Sequence, residues 1–284
     1  MIIKEKLRDL LYLFPDPVLF FFLERISRMK RIRLTKVGFS KSAGLYYIDP
    51  EDHDRVYVSH RTRLKYYSGG LYPRLDRLFS EYLLQEVPFS SGDIVLDCGA
   101  NIGEIGLCLK AKGVKYYALE PDPVAHKACS FNMPGAVVDD RLLLDKSKTV
   151  EFFLASGSAD SSAIRPSSKI DQIVQKEAIT ADDFIQQWSV ERIKLFKIEA
   201  EGAEPEVLKG ACKALEITEY VSIDCGPERG GEVTAPECLN ILIDRGFRVV
   251  GVNLHRGVFL LRSSIGEPPF SWDLSLESRF GGQK

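Results

Sequence analysis

Residues 94–103 read Ile94-Val95-Leu96-Asp97-Cys98-Gly99-Ala100-Asn101-Ile102-Gly103, an apolar run closed by a glycine-bearing turn. Such a run suits a short strand buried in a sheet. Gly99 can take positive φ and let the backbone approach a ligand closely, and Gly103 permits tight helix-to-strand contact. A helix opened by this turn presents free N–H groups, which bind an anion such as a ligand carboxylate. The stretch therefore predicts a cofactor-binding strand–turn–helix, with Asp97, Gly99, Ala100, Asn101 and Gly103 as candidate contacts.

Downstream, strands and helices alternate. Lys115–Leu119 reads as a strand, Pro121–Asn132 as a helix and Ala136–Val138 as a third strand. Thr149–Leu154 and Ile170–Ile179 look extended around a small-residue loop, and Thr180 resembles a helix N-cap. Ile193–Ile198 and Tyr220–Ile223 are further strands. Phe247–Val252 and Val258–Leu261 form a closing antiparallel hairpin. This pattern predicts an α/β fold: a mostly parallel twisted sheet with helices on both faces. Upstream, residues 1–68 read as a helical and extended cap with a basic connector before residue 40, and Leu71–Val87 reads as a helix leading into the main fold. The main domain is expected over 69–262 and a polar tail over 263–284.

Two cofactor classes use such a glycine turn. A dinucleotide fingerprint needs glycine where Asn101 and Glu104 stand. Side chains there crowd a pyrophosphate, and Glu104 repels it. S-adenosylmethionine carries no phosphate and meets neither objection, and Asp97 can reach toward its amino group. Glu120, followed by Pro121 at the end of the second strand, can accept hydrogen bonds from two ribose hydroxyls. Asp139-Asp140 ends the third strand, and Asp140 is the candidate for the adenine amino group.

With Lys197-Ile198-Glu199-Ala200-Glu201-Gly202-Ala203-Glu204 and Val207–Ala211 added, the chain resembles the FkbM-type methyltransferases. The resemblance runs from about Gly69 to Leu261 and includes the GANIGE, LEPDP, TADDF and DCGPERG stretches. It implies a Rossmann-like class I methyltransferase fold, S-adenosylmethionine as methyl donor, and O-methylation of a sugar, glycan or related natural-product hydroxyl. Glu199 departs from the family, which usually has Asp there.

Strand ends of such sheets face the ligand crevice, so Glu199, Glu201 and Asp224 are the candidate catalytic carboxylates. A hydroxyl must lose its proton as it attacks, which is work for a base. Tyr66, Arg74, Arg229 and His255 are candidate acceptor contacts. Glu204 and Glu206, beside Pro205, read instead as helix-start acids complementing the dipole. The competing readings are a non-catalytic adenosylmethionine-binding protein and a NAD-type oxidoreductase.

Composition narrows the partners. A net charge of −2 gives no overall pull toward nucleic acid. No metal-ligand spacing occurs, and the six cysteines lack any C-x-x-C pair, so reduced thiols in a cytoplasmic protein are expected. Pro15-Asp16-Pro17 splits the N-terminal apolar stretches, leaving neither long enough to span a bilayer. The basic run Arg25, Arg28, Lys30, Arg31, Arg33 beside those aromatics can instead meet the inner face of a membrane peripherally.

Overall fold

The computed structural model describes residues 14–29, 34–155, 157, 160–167 and 169–264. Helix α1 (Asp16–Met29) leads into an antiparallel sheet of β1 (Leu34–Ser40), β2 (Leu45–Pro50) and β3 (Val56–Val58). The stretch read as a basic connector is thus partly a strand. Lys36 points outward and Val37 inward, but the surrounding basic residues hide that alternation in the sequence. A 3-10 turn, Arg61–Tyr67, precedes α2 (Leu71–Glu81). The single helix expected over Leu71–Val87 ends at Glu81. Leu83 then takes φ 59° and a separate 3-10 turn follows.

The main domain continues with β4 (Ile94–Cys98), α3 (Glu104–Leu109), β5 (Lys115–Leu119), α4 (Pro123–Asn132) and β6 (Val137–Asp139). A small sheet comprises β7 (Leu142–Leu143), β8 (Lys148–Leu154) and β9 (Gln172–Ile179). The two-residue β7 is too short to leave a periodic signal. Then come α5 (Ala181–Gln187), β10 (Ile193–Ile198), α6 (Glu204–Lys209), α7 (Cys212–Glu216), β11 (Thr218–Asp224) and α8 (Ala235–Asp244). The hairpin β12 (Phe247–Asn253) and β13 (Val258–Ser263) closes the fold.

Seven strands form the large sheet in the order β12-β13-β11-β10-β4-β5-β6. The pairs β10–β11, β10–β4, β4–β5 and β5–β6 are parallel, and β13 lies antiparallel between β11 and β12. Strand order reverses at the β4–β10 boundary, which puts a ligand crevice at those strands' carboxyl ends. This is the class I methyltransferase fold. Period-two alternation builds its two cores: Val95 and Leu195 pack on one face, Leu96 and Phe196 on the other.

The N-terminal elements share a core with this domain. Leu19, Val58 and Tyr67 pack in one cluster with Ile102, Leu107 and Ala128. The Asn132 side chain ties β3 to α4, accepting from the Tyr57 N–H at 2.7 Å and donating to its carbonyl at 2.9 Å. All six cysteines are free.

Candidate active site

One cavity of about 300 Å³ opens at the carboxyl ends of β4, β5 and β10. The turn after β4 forms one wall. Gly99 and Ala100 donate their N–H groups to the Leu119 carbonyl at 3.0 and 3.1 Å, which folds the turn over β5. Gly99 has φ 73°, and a Cβ there would lie 2.0 Å from the Glu199 carbonyl oxygen. Glycine is therefore required by contact with the end of β10, not only by ligand approach. Gly103 (φ 84°) leaves room for Met133 and Cys129 on and beside α4, a helix-to-helix contact instead of the expected helix-to-strand one.

Glu120 stands at the end of β5, where its carboxylate braces the turn. Its two oxygens accept from the Asn101 N–H at 2.6 Å and the Asp122 N–H at 2.8 Å. Each oxygen retains acceptor capacity for a further donor. Burial pushes its carboxyl up to about 7, against the pull of those N–H groups.

Behind the turn lies a buried cation that sequence reasoning left without a role. Lys197 donates to the Cys98 and Gly99 carbonyls at 3.1 and 2.7 Å and pairs with Asp97 at 3.0 Å and Glu199 at 3.2 Å. Burial opposes its charge, but Asp97 and Glu199 outweigh that and hold its pKa above the ordinary value. The available signal was a lysine inside the apolar run of β10, because a buried lysine demands a partner. Asp97 is that partner. Fully buried and also bonded to the Tyr116 hydroxyl, it sits behind the turn and does not line the cavity.

Three further candidates also lie elsewhere. Asp140 is mostly exposed and pairs with Lys176 at 3.1 Å, so its side chain does not reach the cavity. Leu142, Leu143 and Ser161 line that side instead. Arg229 is held by the Gly202 carbonyl and Glu206, outside the lining. His255 is exposed in the hairpin loop, and its neighbour Arg256 enters the cavity.

Arg256 organises the reactive wall. It meets Asp224 at 2.8 Å, Glu81 at 3.0 Å, the Tyr82 hydroxyl at 3.2 Å and Glu199 at 2.5 Å. Burial works against an ionised Glu199, yet Lys197 and Arg256 bring its carboxyl down to about 2. Burial and the Glu199 charge push Asp224 up to about 6 despite Arg256. Asp224 lies just behind the cavity, reaching it through that guanidinium.

Glu201 has the opposite environment. It lines the cavity with φ 50°, and its carboxylate accepts no hydrogen bond among the described residues. Burial, then Glu199, Asp160 and Glu228, push its carboxyl up to about 9. Glu204 holds the Glu201 loop from below, accepting from the Ala200 and Gly202 N–H groups at 2.9 and 3.0 Å and from Thr234 at 3.0 Å. Its role is thus to cap this loop as well as to start α6.

On the rim, Arg63 stacks on the Tyr66 ring at 4.5 Å, and both line the cavity. Arg74 is locked to Glu104 at 2.7 and 3.1 Å, and Tyr67 donates to Glu104 at 2.6 Å. The Glu104 charge is therefore neutralised within the fold. Among the described residues no group of three or more His, Cys, Asp or Glu is arranged to hold a metal ion.

The residues present fit S-adenosylmethionine. Glu120 offers an acceptor at a strand end, the Gly99–Asn101 backbone forms the adjoining wall, and the cavity carries carboxylates that favour a cation. Fold and site together are those of a class I, S-adenosylmethionine-binding methyltransferase domain. The methyltransferase FkbM domain model matches residues 97–249, and the chain belongs to that family. Hexuronic acid methyltransferase AglP of Haloferax volcanii is 28% identical over 145 residues, covering 50% of this chain and 59% of that protein. The chain thus spans about three fifths of the length of this curated relative. A TehB-like SAM-dependent methyltransferase from Corynebacterium glutamicum aligns at TM-score 0.37 and 15% identity, covering 68% of this chain and 96% of that one. An rRNA methylase from Streptococcus thermophilus aligns at TM-score 0.38 and 14% identity, covering 64% and 92%.

Proposed function

We propose that the protein transfers a methyl group from S-adenosylmethionine to a hydroxyl of an acidic sugar or glycan, with Glu201 as the general base. The observation that carries this reading is the placement of Glu120 and Glu201 on different walls of one cavity. The bound cofactor supplies an electrophilic methyl group on a sulfonium; every other task falls to the chain.

Glu120 and the Gly99–Asn101 backbone hold the nucleoside part, while Lys197 keeps the turn against β10. Glu201 accepts the acceptor's hydroxyl proton as oxygen attacks. A carboxylate raised to about 9 is a stronger base than an ordinary one. A positive charge in the cavity favours its ionised form. Glu199, held ionised by Lys197 and Arg256, is a weak base and acts instead as fixed negative charge. Arg63, stacked on Tyr66, suits an acceptor carboxylate, in line with the hexuronic acid named for the Haloferax relative. Orienting donor and acceptor in one enclosed space supplies much of the acceleration.

The test is methyl transfer from labelled S-adenosylmethionine to glucuronic acid, galacturonic acid and oligosaccharides that contain them. Label recovered on a sugar oxygen supports the reading. Tight cofactor binding with no transfer to any of these hydroxyl acceptors would favour the non-catalytic alternative.

A further inference from the structure

Helix α1 plays no part in the cavity, yet its outer face is unusual for a surface helix. Val18, Phe21, Phe22 and Arg25 recur at three- and four-residue spacing on one side, and all are exposed, Phe21 by 58%. Phe14, just before the helix, adds a further exposed ring. The helix is not loose, because Leu19 and Leu23 on its other side are buried in the core. Contiguous exposed aromatics on an anchored helix mark an interaction surface.

Charge selects the occupant. Residues 14–36 contain six basic side chains (Arg25, Arg28, Lys30, Arg31, Arg33, Lys36) and two acids, Asp16 and Glu24. Both acids are engaged within the fold. Asp16 pairs with Arg61 at 2.6 Å and accepts from the Tyr46 hydroxyl at 3.3 Å; Glu24 accepts from the Val37 N–H at 3.0 Å. Among the described residues the outer face therefore offers aromatic rings and Arg25 without a free acid of its own helix, and the sequence that follows it is strongly basic. No helix among the described residues is long and apolar enough to cross a membrane. Aromatics beside lysine and arginine match a helix lying in the plane of an anionic bilayer surface.

We propose that α1 docks the protein peripherally on anionic phospholipid, with Phe21 and Phe22 entering the headgroup–acyl boundary and Arg25 against the headgroups. This stands independently of the methyl-transfer reading. Asp16–Arg61 joins α1 to the 3-10 turn that carries Arg63 and Tyr66, so adjoining elements bear the docking face and the cavity rim.

The experiment is co-sedimentation of the full chain with phosphatidylcholine–phosphatidylglycerol vesicles and with phosphatidylcholine alone. Binding to the anionic vesicles is expected, at least about tenfold weaker on the neutral ones and in high salt. Phe21→Gln/Phe22→Gln lowers it at least about tenfold by removing buried apolar area. Arg25→Gln/Arg28→Gln lowers it about fivefold per charge. A Phe22→Trp variant adds a readout that survives poor behaviour of the others: its emission shifts blue only with anionic vesicles. Failure of the full chain to sediment overturns the proposal. So does Phe22→Trp emission already blue in buffer, which would mean that residues 1–13 or a second copy covers this face.

Discussion

The two walls of the cavity handle charge in opposite ways. On the wall formed by the turn after β4, each ionised group is matched: Lys197 by Asp97 and two carbonyls, Glu120 by two N–H groups, Glu104 by Arg74 and Tyr67. Across the crevice, one guanidinium, Arg256, serves Glu81, Glu199 and Asp224, while Glu201 has no such partner among the described residues. In the proposed reaction the satisfied wall holds the cofactor, and the deficient carboxylate of the acid-rich wall serves as the base. Glu199 and Glu201 make the point at its sharpest, two residues apart with carboxyls near 2 and near 9.

This contrast is open to attack by substitution. The largest effect belongs to Glu201→Gln, which removes the proposed base and should lower kcat by about 10²- to 10⁴-fold. In the wild type kcat/KM should rise with pH along a limb whose midpoint lies near 9, since the base must be deprotonated and Glu201 is raised, and this limb should vanish in Glu201→Gln. A profile with no such limb would assign proton removal elsewhere.

Next is Lys197→Met, which leaves Asp97 buried without its ion pair. A loss of about 3–5 kcal/mol of folding stability is expected in urea unfolding. Unchanged stability would mean that the buried pair does not hold the turn. Glu120→Gln should weaken adenosylmethionine binding by about tenfold or somewhat more, read by calorimetry, because hydrogen bonds to a charged acceptor are replaced by weaker ones. Asp140→Asn should change neither binding nor transfer measurably, as expected for an exposed surface pair.

Glu199 adds a stability effect with a definite sign. Its folded carboxyl is held near 2, below its ordinary 4.5. It therefore stabilises the fold fully above about 4.5, and that contribution is lost as pH falls toward 2. In Glu199→Gln the acid limb of the stability profile should be shallower.

How much of this was legible beforehand follows the same division. The strands, the glycine turn and Glu120 were readable because periodicity and turn chemistry are local. Lys197 carried a signal, a lysine within a buried strand, whose partner could not be named without the β4–β10 register that puts it opposite Asp97. Asp140 was misplaced because two adjacent acids give no register at a strand end, and the chain turns there so that Asp139 takes Arg141. His255 drew notice and its neighbour Arg256 did not for a similar reason: a hairpin loop has no period to say which residue faces inward. Long-range pairing set the Glu199–Glu201 contrast, since Arg256 lies more than fifty residues downstream.

The most direct test measures adenosylmethionine affinity and methyl transfer on the same preparations of wild type and Glu201→Gln. Affinity within about threefold of wild type is expected, with transfer to a uronic-acid acceptor lowered at least about 100-fold. Transfer that persists at the wild-type rate in Glu201→Gln would rule out Glu201 as the base.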